Sequence, residues 1–311
     1  MKIVVTGAAG FIGYHLSNTL AIQGHEVLAL DALLDFPYPR TQKVENWKSL
    51  QQSEPIIHCE LSDLRDPTQI PNLSGYDLVI HLAAIPGLNL SWEDTKLYID
   101  CNVLGTANLL QACVSGAVPR FFQISTSSVY GKLATSSEDS PLNPASPYGV
   151  TKLSAEQMVS AICQSYKIDY SIFRLFSVYG PGQRSDMAFN IFIDRMLQEK
   201  EIEIYGDGSQ SRANTYVMDV VDALIKGIQK SKNGEVYNIC GSEQKSVMDV
   251  IDVLSEILET RPRIVFSEYR RGDQIETRSV ASKAFRDLGF APSTNIQTGL
   301  IQQVKWQKNK L

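Results

Sequence analysis

Met1-Lys-Ile-Val-Val-Thr-Gly7-Ala-Ala-Gly10-Phe11-Ile12-Gly13 opens the chain and decides its fold. The apolar run Lys2 to Thr6 has strand length, and helical periodicity sets in at Phe11 and continues to Gln23. Gly7, Gly10 and Gly13 therefore stand between a strand and a helix. Without side chains there, the backbone turns tightly and approaches a pyrophosphate at the helix N-terminus, where free amides and the dipole favour negative charge. The spacing is G-x-x-G-x-x-G rather than the general G-x-G-x-x-G. By itself it leaves open a tight strand-to-helix turn with no ligand.

Working outward, Asp31 ends a second apolar run, Glu26 to Leu30, roughly 20 residues after Gly13. A carboxylate there accepts hydrogen bonds from both ribose hydroxyls of an adenosine. Ala32 and Leu33 follow, with no arginine to neutralise a 2'-phosphate and a carboxylate to repel one, so NAD is expected over NADP. Further strand-length runs are Ile56 to Leu61, Leu78 to Leu82, Phe121 to Ser125 and Tyr170 to Leu175. Helical patterns lie between them at Thr95 to Val114 and Pro147 to Tyr166, the latter with Ser146 as cap and a first-turn proline. Continuous apolar strands alternating with helices predict a doubly wound α/β domain around a parallel sheet. From about Gly180 the texture changes to short strands at Ile202 to Tyr205, Val236 to Ile239 and Ile264 to Phe266. The expected division is residues 1–179 as a dinucleotide-binding Rossmann domain and 180–311 as a smaller substrate-binding α/β lobe, with an approximate boundary that the chain can recross and a cleft between them.

Composition narrows the function. The 311 residues are 43% apolar and 20% charged, ordinary for a globular protein. A net charge of -5 argues against a nucleic-acid partner. Cys59, Cys101, Cys113, Cys163 and Cys240 lack CxxC spacing and sit mostly in apolar runs, as reduced core residues do, so no disulfide or metal framework is expected. The N-terminus has no apolar stretch long enough for a signal peptide or membrane span, and the expected location is the cytoplasm.

Tyr148-Gly-Val-Thr-Lys152 puts a phenol and an ammonium four residues apart on one helical face. A phenol is a base at neutral pH only if a cation stabilises the phenolate. Lys152 supplies that cation, and Tyr148 then takes a proton from a substrate hydroxyl as hydride leaves, or returns it. Ile124-Ser-Thr-Ser-Ser-Val-Tyr-Gly131 ends the fifth strand, where such sheets bind ligands, and Thr126 there suits the reacting hydroxyl. Ser125 is expected to be solvated or to cap backbone. A surface helix pair beside a solvated serine loop remains the alternative.

Met1-KIVVTGAAGFIG, His81-Leu-Ala-Ala84, Ser125-TSSVYG, Ser146-PYGVTK, Arg174-LFSVYGP, Ile204-YGDG-Ser-Gln-Ser-Arg212 and Arg271-Gly-Asp273 together resemble the extended short-chain dehydrogenase/reductases, in motif order over nearly the whole chain. Through Ala84-IPG, STSSVYG and Gln183-Arg-Ser-Asp-Met-Ala-Phe189 the chain is most similar to bacterial UDP-glucuronate 4-epimerases, then to UDP-glucose 4-epimerases. The resemblance implies Thr126, Tyr148 and Lys152 as catalytic hydroxyl, base and lysine. It places Phe11, Ile12, Asp63, Leu64 and Ala83 with the glycines and Asp31 around NAD. It gives Pro86, Gly87, Ser127, Ser128, Ser177, Arg184, Tyr205 and Gln210 to a UDP-linked sugar, and Arg212 with Arg270 or Arg271 to its pyrophosphate. A homodimer joined through helices such as Pro147 to Tyr166 is also implied.

Dehydratases of this group resemble S-T-D-E-V-Y-G and decarboxylases S-T-S-E-V-Y-G, each with a carboxylate where this chain has Ser128. What remains is oxidation to a 4-keto sugar, rotation, and return of hydride to the other face. A 4-keto uronate readily loses carbon dioxide, and Thr126, Ser127, Ser128 and Ser177 are expected to cradle its carboxylate with Arg184 nearby. The sequence departs from the family's pattern at Arg212-Ala-Asn214, where Arg-Asp-Phe is usual, at Ser177, usually Asn or Thr, and at Gly182, often arginine. Alternatives are a 4-epimerase for neutral UDP-hexoses or N-acetylhexosamines, a 4-ketoreductase, and a non-catalytic dinucleotide sensor.

Overall fold

Seven parallel strands form the main sheet of the protein, whose computed structural model describes residues 1–53, 55–135, 137–269, 276–278 and 281–310. The strands are β1 (Lys2–Thr6), β2 (Glu26–Asp31), β3 (His58–Leu61), β4 (Leu78–His81), β5 (Arg120–Thr126), β6 (Asp169–Leu175) and β7 (Glu235–Ile239), in the order β7-β6-β5-β4-β1-β2-β3. The order reverses between β1 and β4, and a doubly wound sheet binds its ligand at such a switch point, outside the carboxyl ends of the strands.

Successive side chains of a strand point to opposite faces, so a central strand needs apolar residues throughout. Ile3 and Val5 of β1 pack with Leu16 and Leu20 of α1 (Phe11–Ile22) on one face. Val4 packs on the other with Leu109 of α3 (Gly105–Ser115) and Val159 of α4 (Pro147–Tyr166). All seven of these residues are wholly buried. Each such side chain contributes about 1.5–3 kcal/mol, and Leu16→Ala is expected to cost about 2–5 kcal/mol. Helix α4 starts as its sequence dictates: Ser146 Oγ accepts from the Gly149 amide at 3.1 Å and Pro147 fills the first turn. A further helix, α2 (Thr41–Gln51), follows β2.

One strand differs from expectation. Val236–Ile239 belongs to β7, at the edge of the main sheet, where Val236 pairs with Ile172 and Ile239 with Leu175. Helix α5 (Val217–Lys230) covers it beside α1. Its buried Tyr237 and Ile239 give it the apolar character of a sheet strand, but nothing local says which open edge it joins. The smaller lobe packs Phe192, Ile193, Leu254 and Leu300 around Ile202–Tyr205, which pairs in parallel with Ile264–Ser267. Cys113, Cys163 and Cys240 are buried and none of the five cysteines is in a disulfide. Among the described residues no helix is long and apolar enough to cross a membrane, and no His, Cys, Asp and Glu group is placed to hold a metal ion.

Candidate active site

A cavity of about 410 Å³ opens at the carboxyl ends of β1, β2, β4, β5 and β6. The glycine turn forms its floor, and here geometry requires glycine. Gly7 has φ +68°, in the left-handed region, and a Cβ on it would lie 2.8 Å from the Ala83 amide nitrogen. A Cβ on Gly13 would lie 2.1 Å from the Gly7 carbonyl oxygen. The turn is thus pressed against the end of β4 and the first turn of α1, which has no side-chain cap and no acidic residue. That bare, positive helix end with a Cβ-free approach fits a dinucleotide pyrophosphate. Asp31 is fixed by amides of the same turn and of the following loop: Oδ2 accepts from Ala9 at 3.0 Å and Oδ1 from Leu33 at 2.8 Å. Burial raises its pKa, against the pull of these amides and of Lys43. Asp63 chelates its neighbour Arg65, which holds the carboxyl below its usual range, and Leu64 and Ala83 complete the wall.

The catalytic candidates converge on one side of this cavity. Thr126 Oγ1 lies 3.2 Å from Ser128 Oγ, accepts from the Ser128 amide at 3.2 Å, and hydrogen-bonds the Tyr148 phenol. Burial raises the Tyr148 pKa, while the bond from Thr126 and the charge of Arg184 lower it. Lys152 Nζ donates to the Ile124 carbonyl at 2.7 Å, and burial brings its pKa down to about 8 against the pull of Glu156. Ser125 differs from expectation: its side chain is buried and donates to Glu156 Oε1 at 2.5 Å.

Pro86, Gly87, Ser127, Ser128, Ser177, Arg184 and Arg212 line the same cavity. Arg184 is paired side-on with Asp186, at 2.9 and 3.0 Å. Tyr205 and Gln210 are not among the lining residues: the Tyr205 hydroxyl donates to Glu203 and the Gln210 amide donates to the Tyr205 carbonyl, both at 2.8 Å. Arg270 and Arg271 lie outside the described residues. The Gly182 departure has a physical counterpart. Gly182 has φ +86° and its carbonyl accepts from Gln42 of α2 at 2.6 Å, while His15 of α1 donates to the Pro181 carbonyl at 2.7 Å. The turn carrying Arg184 is therefore docked on the dinucleotide-binding half.

Three residues the sequence did not single out also shape the site. Lys43 faces Asp31 but donates to the carbonyls of Leu34 and Phe36 and lies 4.3 Å over the Tyr38 ring, which Arg184 approaches to 5.6 Å. Asn102 interrupts the expected helix Thr95 to Val114 with a π-turn at Asp100–Leu104. Its side chain holds both backbone groups of Ile85, at 2.7 and 3.0 Å, and Thr151 of α4 at 3.1 Å, tying the Pro86-Gly87 loop to the catalytic helix. The helical period of 95–114 hides this insertion, because a buried asparagine interrupts the apolar stripe only once.

The chain is similar to known proteins over almost its whole length. The UDP-glucuronic acid 4-epimerase of Bacillus cereus, solved with UDP-glucuronic acid and NAD, superimposes with a TM-score of 0.94 at 38% identity, covering 100% of each chain. The uncharacterized UDP-glucose epimerase YtcB of Bacillus subtilis is 38% identical over 98% of each chain. The UDP-glucuronate 4-epimerase of Thermodesulfobacterium geofontis is 33% identical over 99% of this chain and 96% of its own. Residues 3–240 match the model of the NAD dependent epimerase/dehydratase family, and with the glycine turn, Asp31 and the Thr126-Tyr148-Lys152 constellation in place the chain belongs to that family.

Proposed function

We propose that this protein is a nucleotide-sugar 4-epimerase that interconverts UDP-glucuronate and UDP-galacturonate without loss of carbon dioxide. One observation carries this choice. Among the described residues lining the cavity the only carboxylates are Asp31 and Asp63, at the ends of β2 and β3; the lining at the ends of β5 and β6 carries the hydroxyls of Thr126, Ser127, Ser128 and Ser177, and Arg184 lines the same cavity. A carboxylate there would repel a uronate and would serve elimination chemistry; neutral donors and one arginine accept it.

NAD, when bound at the glycine turn, supplies the hydride acceptor and donor. Tyr148 takes the proton of the sugar 4-hydroxyl and returns it after the 4-keto sugar has rotated. Thr126 steadies the reacting oxygen, and Lys152 supplies the positive charge that lets the phenol ionise near neutral pH. A 4-keto uronate decarboxylates when the breaking bond overlaps the ketone, so the serine cradle preserves the carboxylate by fixing its orientation. Arg212, with Arg270 or Arg271, holds the pyrophosphate.

The same proposal assigns residues 1–179, completed by α5 and β7, to cofactor binding and catalysis and the rest of 180–311 to the nucleotide sugar, in the cytoplasm. It pairs two copies through the helices over 95–115 and α4, where Ile99, Leu104 and Val150 are exposed apolar residues. The test is to incubate the purified protein with a panel of UDP-sugars and resolve the products. UDP-galacturonate from UDP-glucuronate, with no net change in NADH, is expected. Stoichiometric oxidation of added NAD(P)H would favour a ketoreductase, and UDP-pentose as the main product would refute retention of the carboxylate.

A further inference from the structure

Behind the catalytic wall lies a group of charges that the proton transfer does not use directly. Arg174 on β6 and Glu156 on α4 are both almost fully buried and meet through Nη2 to Oε2 at 2.7 Å and Nε to Oε1 at 3.0 Å. Ser125 Oγ caps the same Oε1 at 2.5 Å. Arg174 Nη1 also donates to the Tyr130 hydroxyl at 2.9 Å, which in turn donates to Asn238 Oδ1 of β7 at 2.8 Å. A buried pair like this adds little stability compared with an apolar pair of similar volume, so its retention calls for another reason. Its position supplies one. Glu156 is one helical turn beyond Lys152 on α4, and Ser125 precedes Thr126 on β5.

We propose that Glu156, clamped by Arg174 and Ser125, is a positioning residue: it keeps the Lys152 ammonium charged and fixes the end of β5 that presents Thr126. This rests on Tyr148 and Lys152 carrying the proton transfer. The other titratable groups around the pair and Lys152 are His81 on β4, Tyr98 and Cys101 before α3, Tyr130 and Glu138 after β5, Tyr148 on α4, and Arg174 and Arg184. Burial holds His81 neutral, with its pKa down to about 3, and pushes Tyr98, Tyr130 and Cys101 up. Glu138 accepts from the Asn238 amide at 2.8 Å and its carbonyl from Arg174 Nη1 at 3.3 Å, whereas Glu156 stands one helical turn from Lys152. Its charge opposes the burial that draws Lys152 down.

The sign follows. Lys152 is charged below its pKa and loses its charge as pH rises through it, which sets the alkaline limb of the rate profile. Removing Glu156 lowers that pKa and moves the limb to lower pH.

The experiment is the pH dependence of kcat for UDP-glucuronate, with NAD, in Glu156→Leu/Arg174→Met, which removes both charges and leaves neither uncompensated. The alkaline limb is expected about one unit lower, so that kcat falls ~10-fold at pH 9 but less than ~2-fold at pH 6, with KM at pH 6 nearly unchanged. A merely structural pair predicts a limb that coincides with the wild type, and that result would overturn the proposal. If the double variant does not fold, Glu156→Gln, which still accepts from Ser125 but leaves Arg174 charged, carries a shift in the same direction and at least as large, and the same refuting outcome. Glu156→Asp should restore most of the limb. Tyr148→Phe and Lys152→Ala, measured alongside, separate the two failures: if they turn over normally the catalytic assignment is wrong, whereas their loss with an unmoved limb strikes this proposal alone.

Discussion

Gly7→Ala is expected to separate the steric demand of the cofactor turn from the ordinary cost of a left-handed backbone, because Gly24 provides a matched control. Both glycines have positive φ, +68° at Gly7 and +83° at Gly24. A side chain in that region costs about 1–2 kcal/mol, offset by about 0.5–1 kcal/mol from the stiffer unfolded chain. At Gly24 nothing lies within 4 Å of the added Cβ, so Gly24→Ala should cost about 1 kcal/mol or less. At Gly7 the Cβ would meet Ala83 N at 2.8 Å and Cα at 2.9 Å, and backbone cannot step aside as a flexible side chain can. Overpacking of this kind adds about 1–3 kcal/mol. At ~2 °C per kcal/mol for a chain of this length, Tm should fall by about 2–8 °C for Gly7→Ala and by about 2 °C or less for Gly24→Ala. Moving the turn away from β4 also widens the pyrophosphate floor, and NAD affinity, measured by calorimetry, should drop at least ~10-fold only in Gly7→Ala. Equal Tm shifts and equal NAD affinities in the two variants would refute the reasoning.

Asp31→Ala should narrow the preference for NAD over NADP by removing both ribose bonds and the repulsion of a 2'-phosphate, in parallel titrations of the two dinucleotides; an unchanged ratio would remove Asp31 from the ribose site. Tyr148→Phe should lower kcat by ~10³-fold or more while KM stays within a small factor, and a variant retaining most activity would displace Tyr148 as the base. Gln42→Ala frees the Gly182 carbonyl and should raise KM for UDP-glucuronate several-fold with little change in kcat; an unchanged KM would show that docking of this turn does not position Arg184.

What the sequence made legible was local. A strand, three glycines and a helix are contiguous, Asp31 follows one strand later, and Tyr148 and Lys152 share a helix whose Ser146-Pro147 start is explicit. Long-range partners were not legible. Gln42 meets Gly182 and His15 meets Pro181 across gaps of 140 and 166 residues. Glu156 reads as one more charge on an amphipathic helix until Arg174 is found opposite it, and Ser125 reads as solvated for the same reason. Lys43 lies in an otherwise ordinary surface helix and faces Asp31 only because the 32–38 loop folds back over it. Resemblance named Tyr205 and Gln210 for the substrate; in the structure the Tyr205 hydroxyl donates to Glu203 and the Gln210 amide nitrogen to the Tyr205 carbonyl.

The most direct test of the central claim is the ratio of kcat/KM for UDP-glucuronate and UDP-glucose, measured under one set of conditions with products resolved. A hydroxyl cradle with Arg184 at its edge predicts that UDP-glucuronate is preferred by at least ~10-fold, with UDP-galacturonate as product. A higher kcat/KM for UDP-glucose would contradict it.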